Sequence, residues 1–218
     1  MIDDLGLDRE SIHELDVPDE GRAHYSKKTI DFEYDFPFGQ KELYGLAYRT
    51  DYDLKQHTKE SGVDLKYKDP ETGEELIPHV IEPSFGVERS ILAVLLSSYT
   101  EAEDGRVVLK LPKKLAPIKA AVFPLLPNKP ELVEKARNIY LDLKEEVMVA
   151  WDDRGNIGKR YASQDEIGTP FCLTVDFQSL EDDMVTVRDR DTATQERVKI
   201  SELKEYIEKK INGNSNQI

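Results

Sequence analysis

One cysteine in 218 residues leaves Cys172 nothing to bridge. Without a second cysteine there is no Cys-rich spacing to hold zinc either, so Cys172, within Phe171-Cys172-Leu173, reads as a small buried hydrophobe. Long apolar runs are missing as well. None approaches the roughly 20 residues needed to span a bilayer. The amino terminus, Met1-Ile2-Asp3-Asp4, is acidic where a secretory signal would be basic. The expectation is a cytoplasmic chain with no membrane partner. Positive charge is also scarce: 30 Lys and Arg stand against 44 Asp and Glu, for a formal charge of −14. That excludes nucleic-acid binding by bulk attraction, which takes clustered Lys and Arg to neutralise phosphates. The deficit is uneven. Residues 1–110 carry 13 basic and 25 acidic side chains, whereas residues 111–218 carry 17 and 19, so the second half can still present a local basic face.

The patterning divides the same way. Residues 1–28 are acidic, lack periodic apolar positions and read as a lead-in. From Thr29 to Phe36 the apolar Ile30, Phe32, Tyr34 and Phe36 alternate with Asp31, Glu33 and Asp35, which predicts a half-buried strand of an antiparallel sheet. Pro37-Phe38-Gly39 turns the chain into a second strand, Glu42 to Tyr48. After a polar stretch with a turn at Asp69–Gly73, a third strand is expected from Ile77 to Ile81. Glu82-Pro83-Ser84-Phe85-Gly86 is expected to break regular structure, and the apolar positions from Val87 to Leu96 predict a helix packed on most sides. Arg89 in its first turn opposes the helix dipole and wants an anion nearby.

Pro112, two lysines and Pro117 suggest a hinge between domains, drawn at 111/112. Beyond it the expected order is a strand (Lys119–Leu125), a helix opened by Pro130, a strand (Val147–Trp151), a helix (Ile157–Glu166), a strand (Phe171–Phe177) and a hairpin (Met184–Arg188 with Gln195–Ile200). A closing helix is expected to be capped by Ser201, followed by a disordered tail at 213–218. Alternating strands and helices predict an α/β class with a mostly parallel five-stranded sheet in residues 112–212.

Chemistry concentrates between Ile81 and Arg89. A carboxylate, a hydroxyl, a glycine and an arginine within eight residues can bind a small zwitterion beside a phosphate chain: Glu82 for an ammonium, Ser84 and the backbone near Gly86 for neutral hydrogen bonds, and the planar fork of Arg89 for polyphosphate. The alternative is a closed strand end with Arg89 paired to Glu88 or Glu82.

Glu82-Pro83-Ser84-Phe85-Gly86-Val87-Glu88-Arg89 resembles motif 3 of class II glycyl-tRNA synthetases, and Glu42-Leu43-Tyr44-Gly45-Leu46-Ala47-Tyr48-Arg49-Thr50-Asp51-Tyr52-Asp53-Leu54 resembles the strand and loop that precede it in that family. Similar stretches continue through Ala116-Pro117-Ile118-Lys119, Gly155-Asn156-Ile157-Gly158-Lys159-Arg160-Tyr161, Asp165-Glu166-Ile167-Gly168-Thr169-Pro170 and Thr186-Val187-Arg188-Asp189-Arg190-Asp191-Thr192. Together they cover nearly all of residues 22–210, in order. The resemblance implies part of a class II antiparallel catalytic sheet with its helix (1–111), then an α/β anticodon-binding domain (112–212).

It also implies roles. Glu82, Pro83, Ser84, Phe85 and Gly86 would cradle glycine, excluding larger amino acids by size. Glu42, Leu43, Gly86, Val87, Glu88 and Arg89 would line the ATP site, with Glu42 able to act through Mg2+, a hard cation that prefers oxygen ligands. Lys159, Arg160, Tyr161, Arg188 and Arg190 are candidates to meet the anticodon loop, since unpaired bases stack on aromatic and guanidinium planes. An alternative pairs Arg188 and Arg190 with Asp189 and Asp191 in a surface network. The implied activity is ATP-dependent joining of glycine to tRNA-Gly by a homodimer. Motif 1, which builds the dimer interface, and motif 2, whose arginine neutralises the α-phosphate, are not found upstream of Asp31, so these residues alone are expected to activate glycine poorly. Tyr48 departs from the polar residue that relatives often carry there. An accessory RNA- or nucleic-acid-binding protein derived from a synthetase is the competing reading.

Overall fold

A computed structural model describes residues 2–101 and 105–213. The chain forms two compact units, one of Leu7–Leu96 and one of Met1–Gly6 with Ser97–Ile218.

The first unit is built on a four-stranded antiparallel sheet. Its strands are β1 (Ile12–Asp16), β2 (Lys28–Phe36) and β3 (Gly39–Thr50); after helix α1 (Tyr52–Ser61) and the short hairpin β4 (Tyr67–Lys68) and β5 (Glu75–Leu76) comes β6 (Val80–Phe85), then helix α2 (Val87–Ser98). The strand order is β1-β2-β3-β6. The alternation read in β2 holds, with Tyr34 and Phe36 buried. The lead-in is more structured than expected: Ile12–Asp16 pairs along β2 from Tyr34 to Ile30. Helix α1 was hidden in the polar stretch, because it has no buried residue and hence no apolar period to betray it. The turn at Asp69 is as expected, its carboxylate accepting the N–H groups of Glu71 and Thr72 at 2.8 Å each.

Two expectations fail. Glu82–Phe85 does not interrupt the strand but lies within β6, where Pro83 is tolerated on an edge. Helix α2 packs by one face only. Ala93 and Val94 are buried, while Val87, Ile91 and Leu95 stay 67, 56 and 42% exposed.

The second unit opens with a hairpin, β7 (Tyr99–Glu101) and β8 (Val107–Leu109), followed by β9 (Ala120–Pro124), α3 (Pro130–Leu143), β10 (Val149–Trp151), α4 (Ile157–Glu166), β11 (Phe171–Val175), α5 (Phe177–Asp182), β12 (Met184–Asp189), β13 (Gln195–Lys199) and α6 (Leu203–Asn212). The five-stranded sheet runs β10-β9-β11-β12-β13. Since β10 and β11 are parallel to β9, and β12 is antiparallel to both β11 and β13, four strands share a direction and only β12 is reversed. The main core joins the sheet to α3 and α6 through Val122, Leu132, Ala136, Ile139, Leu173, Leu203 and Ile207. On the opposite face Ala121, Phe123 and Cys172 meet Ile157 and Tyr161 of α4. Burial drives the Cys172 thiol well above its usual range, as expected of an inert hydrophobe.

The packing boundary at 96/97 lies ahead of the expected 111/112 because the stretch meant as a hinge is held in the second unit. Lys113 pairs with Asp189 at 2.6 Å, and the Leu111 carbonyl accepts from Arg190. Ser201 does not cap the closing helix; it sits in a 3-10 turn, Ile200–Glu202, and Glu202 is the N-cap. Of the expected tail, residues 214–218 lie outside the described residues.

Gly168 ties the motif Asp165–Pro170 to this packing. Its φ is +81°, and an added Cβ would lie 2.9 Å from Leu111 Cδ1 and 3.0 Å from the Leu109 carbonyl. Gly168→Ala is expected to cost more than about 1 kcal/mol, combining a left-handed backbone with a steric clash. Urea unfolding followed by circular dichroism will show the lowered midpoint.

Candidate functional sites

In the first unit, register places the polar residues of the sheet on one face. Asp31 pairs with Gly45 and Gly45 with Ser84; Thr29 pairs with Ala47 and Ala47 with Glu82. Small residues therefore floor a shallow trough, with Glu82 and Ser84 along one side and Thr29 and Asp31 along the other. A Cβ on Gly45 would stand 3.4 Å from Glu42 Oε1, 3.6 Å from Asp31 Oδ1 and 4.0 Å from Ser84 Cβ.

Strand β3 is irregular twice, and each irregularity serves this face. Between Glu42 and Tyr44 the ladder skips Leu43, so Glu42, opposite Glu33, falls on the side of Gly45. Leu43 itself is buried. Between Tyr48 and Thr50 the ladder skips Arg49. Thr50 takes φ +55°, a left-handed conformation costly for a β-branched residue. The guanidinium of Arg49 then donates to both Asp53 oxygens at 2.7 and 2.6 Å and to Glu82 Oε2 at 2.6 Å, lying 3.9 Å over the Tyr25 ring. The Arg49 hydrogen bonds hold the Asp53 carboxyl below its ordinary range. Glu82 is thus oriented by a fork whose second carboxylate comes from α1.

Arg89 folds back over Gly86 and donates to the Glu42 carbonyl. The acceptor that its position in the first turn of α2 called for is a main-chain oxygen, and the contact brings Arg89 together with Glu42. Phe85 meets Tyr44 edge-on at 4.9 Å, and the Ser90 hydroxyl, bonded to the Tyr44 hydroxyl, also donates to the Gly86 carbonyl. Val87 and Glu88 are exposed. Among the described residues no group of three His, Cys, Asp or Glu side chains is arranged to hold a metal. A magnesium ion carried by nucleotide phosphates asks for only one or two carboxylates, which exposed Glu42 fits.

The second unit sorts its cations differently from the expectation. Of the five residues expected to meet RNA, only Lys159 is exposed. Arg160, 1% exposed, donates from Nε to the Arg154 carbonyl at 3.0 Å, from Nη1 to Pro124 at 2.6 Å and from Nη2 to Gly155 at 2.9 Å. Arg188 forms a buried two-pronged pair with Asp165 at 2.8 and 3.0 Å and faces the Tyr161 ring. Arg190 bonds the carbonyls of Gly168 and Leu111 and the carboxylate of Asp191. Tyr161 is turned inward to Thr174 at 2.7 Å, and burial raises its phenol above the usual range. These four side chains are bonded within the fold; of the surface pairs expected as the alternative, Arg190–Asp191 forms, whereas Arg188 turns inward to Asp165. Sequence reasoning also missed Asp31, Gly45, Arg49 and Asp53. Their roles depend on cross-strand register and a bulge, which no local pattern reports.

A mixed five-stranded sheet of this topology, with helices on both faces, points to the class: residues 119–210 match the family described as Anticodon binding domain. Over 212 residues, 95% of this chain, the sequence is 51% identical to the glycine–tRNA ligase of Clostridium acetobutylicum; it is 53% identical over 211 residues to that of Geobacillus thermodenitrificans and 48% identical over 221 residues to that of Thermobifida fusca. Over nearly its whole length the chain thus matches the carboxy-terminal fragment of glycyl-tRNA synthetases. It spans about half the length of these relatives, 45 to 48%.

Burial first, and then the charges of Glu42 and Glu33, push the Asp31 carboxyl above its usual range. An acid whose folded value is raised destabilises the fold above that value. The penalty shrinks as pH falls through it and vanishes below the unfolded value of about 3.9. Asp31→Asn is accordingly expected to melt higher than the parent chain at pH 7 and to converge with it below about pH 4, checked by thermal unfolding at both pH values.

Proposed function

We propose that this chain is the carboxy-terminal part of a glycine–tRNA ligase, contributing the glycine cradle, part of the ATP site and the tRNA-reading domain to the ATP-dependent formation of Gly-tRNA-Gly. In this reading residues 1–111 belong to the catalytic domain and residues 112–212 to the anticodon-binding domain, in a cytoplasmic homodimer. The observation that carries it is the trough: a floor of Gly45 and Ala47 between Glu82, Ser84 and Asp31, in a chain about half identical to proteins of that name.

Carboxylates along both sides suit the ammonium of an amino acid, and the narrow floor suits one without a side chain. Ser84 and the backbone at Gly86 offer neutral hydrogen bonds to the same molecule. ATP would lie toward Glu42 and Arg89, with Gly86, Val87 and Glu88 at its edge. Leu43, being buried, would support that wall from behind. Glu42 would hold magnesium jointly with the phosphates, and the metal supplies charge neutralisation. Arg89 would trade its carbonyl partner for phosphate oxygens, which bind a guanidinium more strongly.

Adenylate formation is mostly positioning and charge neutralisation. Without a counterpart to the motif 2 arginine, these 218 residues alone should exchange pyrophosphate with ATP very slowly. Supplying the portion of the Clostridium acetobutylicum ligase that this chain does not span should raise glycine-dependent exchange, and Arg89→Ala should then lower it by at least about 100-fold, as for other preorganised charge stabilisers. Exchange indifferent to Arg89 would reject the assigned ATP site. The chain alone should bind tRNA-Gly more tightly than the same tRNA with an altered anticodon at fixed salt, and equal affinities would reject the reading of the second domain.

A further inference from the structure

The carboxyl ends of β9 and β10 are where this sheet divides. The connection from β9 runs to α3 on one face, and that from β10 to α4 on the other. In open α/β sheets such a divergence leaves a crevice, the usual seat of a ligand. Here the guanidinium of Arg160 occupies it from beneath, bonded to the last residue of β9 through Pro124 and to the loop after β10 through Arg154 and Gly155.

Its bonds go to main-chain carbonyls, which offset a buried charge less well than a carboxylate would, so the arrangement is costly if all it does is fill space. What it accomplishes is to fix two loops. The 152–156 loop is braced further by the Asp152 carboxylate, which accepts the Arg154 N–H at 2.9 Å, and by the Asn156 side chain, which accepts the Lys159 N–H at 2.9 Å. Gly155, at φ +64°, leaves room for the Lys159 stem, whose Cδ would be 3.9 Å from an added Cβ. The product is a rigid rim from which the Arg154 side chain projects 90% exposed, its Nε only 3.4 Å from Asp152, with Lys159 beside it and Lys129 exposed on the other loop.

We propose that Arg160 is a positioning residue for RNA: it locks the loops after β9 and β10 so that Arg154 meets a phosphate of the tRNA anticodon loop. The inference rests on the reading that residues 119–210 bind tRNA-Gly, and deepens it. A preset loop contributes affinity by sparing the ordering cost that a mobile cation would incur on binding.

The test uses the 218-residue chain and a tRNA-Gly transcript, with affinity measured over a series of KCl concentrations. Arg154→Ala should weaken binding about 3- to 10-fold and lower the slope of log affinity against log salt by about 0.7 to 0.9, the signature of one lost phosphate contact. Arg160→Lys leaves the net charge unchanged, yet should reduce affinity and slope similarly because Arg154 is no longer held in place. The double variant should bind no more weakly than the weaker single variant, since the two changes remove one contact. Lys209→Ala, an exposed cation on α6, should leave the slope unchanged.

If circular dichroism shows Arg160→Lys to be unfolded, Gly155→Ala replaces it, straining the loop without entering the core. Parental affinity in Arg154→Ala, an unchanged slope in the loop variant, or additive losses would overturn the proposal while leaving tRNA recognition intact. Absence of tRNA binding by the parent chain would overturn both.

Discussion

Three guanidiniums inside the second unit decide what that half of the chain can show to a partner. Arg160, Arg188 and Arg190 are each at most 6% exposed, and each is bonded to acceptors of the chain itself. Arg188 clamps α4 to β12 through Asp165. Arg190 ties the 111 and 168 segments together, where Gly168 leaves the space that such close approach needs. Arg160 joins the ends of two parallel strands. Removing a partner from such a site leaves a buried charge uncompensated, at a cost of roughly 3–5 kcal/mol for a buried pair. The motifs Gly155–Tyr161, Asp165–Pro170 and Thr186–Thr192 are therefore one interior hydrogen-bonded framework read at three places in the sequence, and their arginines are unavailable at the surface.

The first unit uses irregularity where the second uses charge. A perfectly regular β3 would send Glu42 to the face opposite Gly45, because a side-chain period of two fixes the side of every residue. The bulge at Leu43 places Glu42 with Gly45, Asp31 and Ser84, and at the same time drives Leu43 into the interior. The bulge at Arg49, accompanied by a strained Thr50, takes Arg49 out of the ladder at the point where its fork reaches both Asp53 and Glu82. Strain of this kind persists only when the surroundings over-determine it, and it concentrates at working sites. The raised carboxyl of Asp31 is a second concession of the same kind, made on the same face.

Much of this fold was legible beforehand. The alternation Ile30, Phe32, Tyr34, Phe36 gave β2, and Pro130 followed by the apolar recurrence Leu132, Val133, Ala136, Ile139, Tyr140, Leu143 gave α3, of which Leu132, Ala136, Ile139 and Leu143 are the buried face. Ile157–Glu166 was recovered to the residue, and the structure shows Asn156 capping its start. Helix α1, lacking any buried residue, and strand β1, half-exposed at the sheet edge, cast no such shadow. In the site, Glu82 through Arg89 could be found as a linear cluster of chemically apt residues. Arg49 and Gly45 could not, since their importance lies in register, in one case through the absence of a side chain. The mistaken expectation for Arg160, Arg188 and Arg190 has a plain cause: composition marks arginine as a surface cation, and burial is a property of the assembled fold.

That distinction bears on how an acidic chain could hold RNA. Of the 17 basic side chains after residue 110, these three arginines are buried, and of the 19 acidic ones Asp165 is buried, so 14 cations face 18 anions where the sequence shows 17 and 19. The exterior of the second half is thus more negative than its composition. Long-range attraction cannot then be what brings a polyanion to it, and at physiological ionic strength the field of any single cation is screened within about 8 Å. Affinity must come from a few cations held where phosphates will be, which makes loop rigidity worth more here than on a basic surface. A guanidinium spent beneath the surface to fix one exposed arginine above it is consistent with that economy.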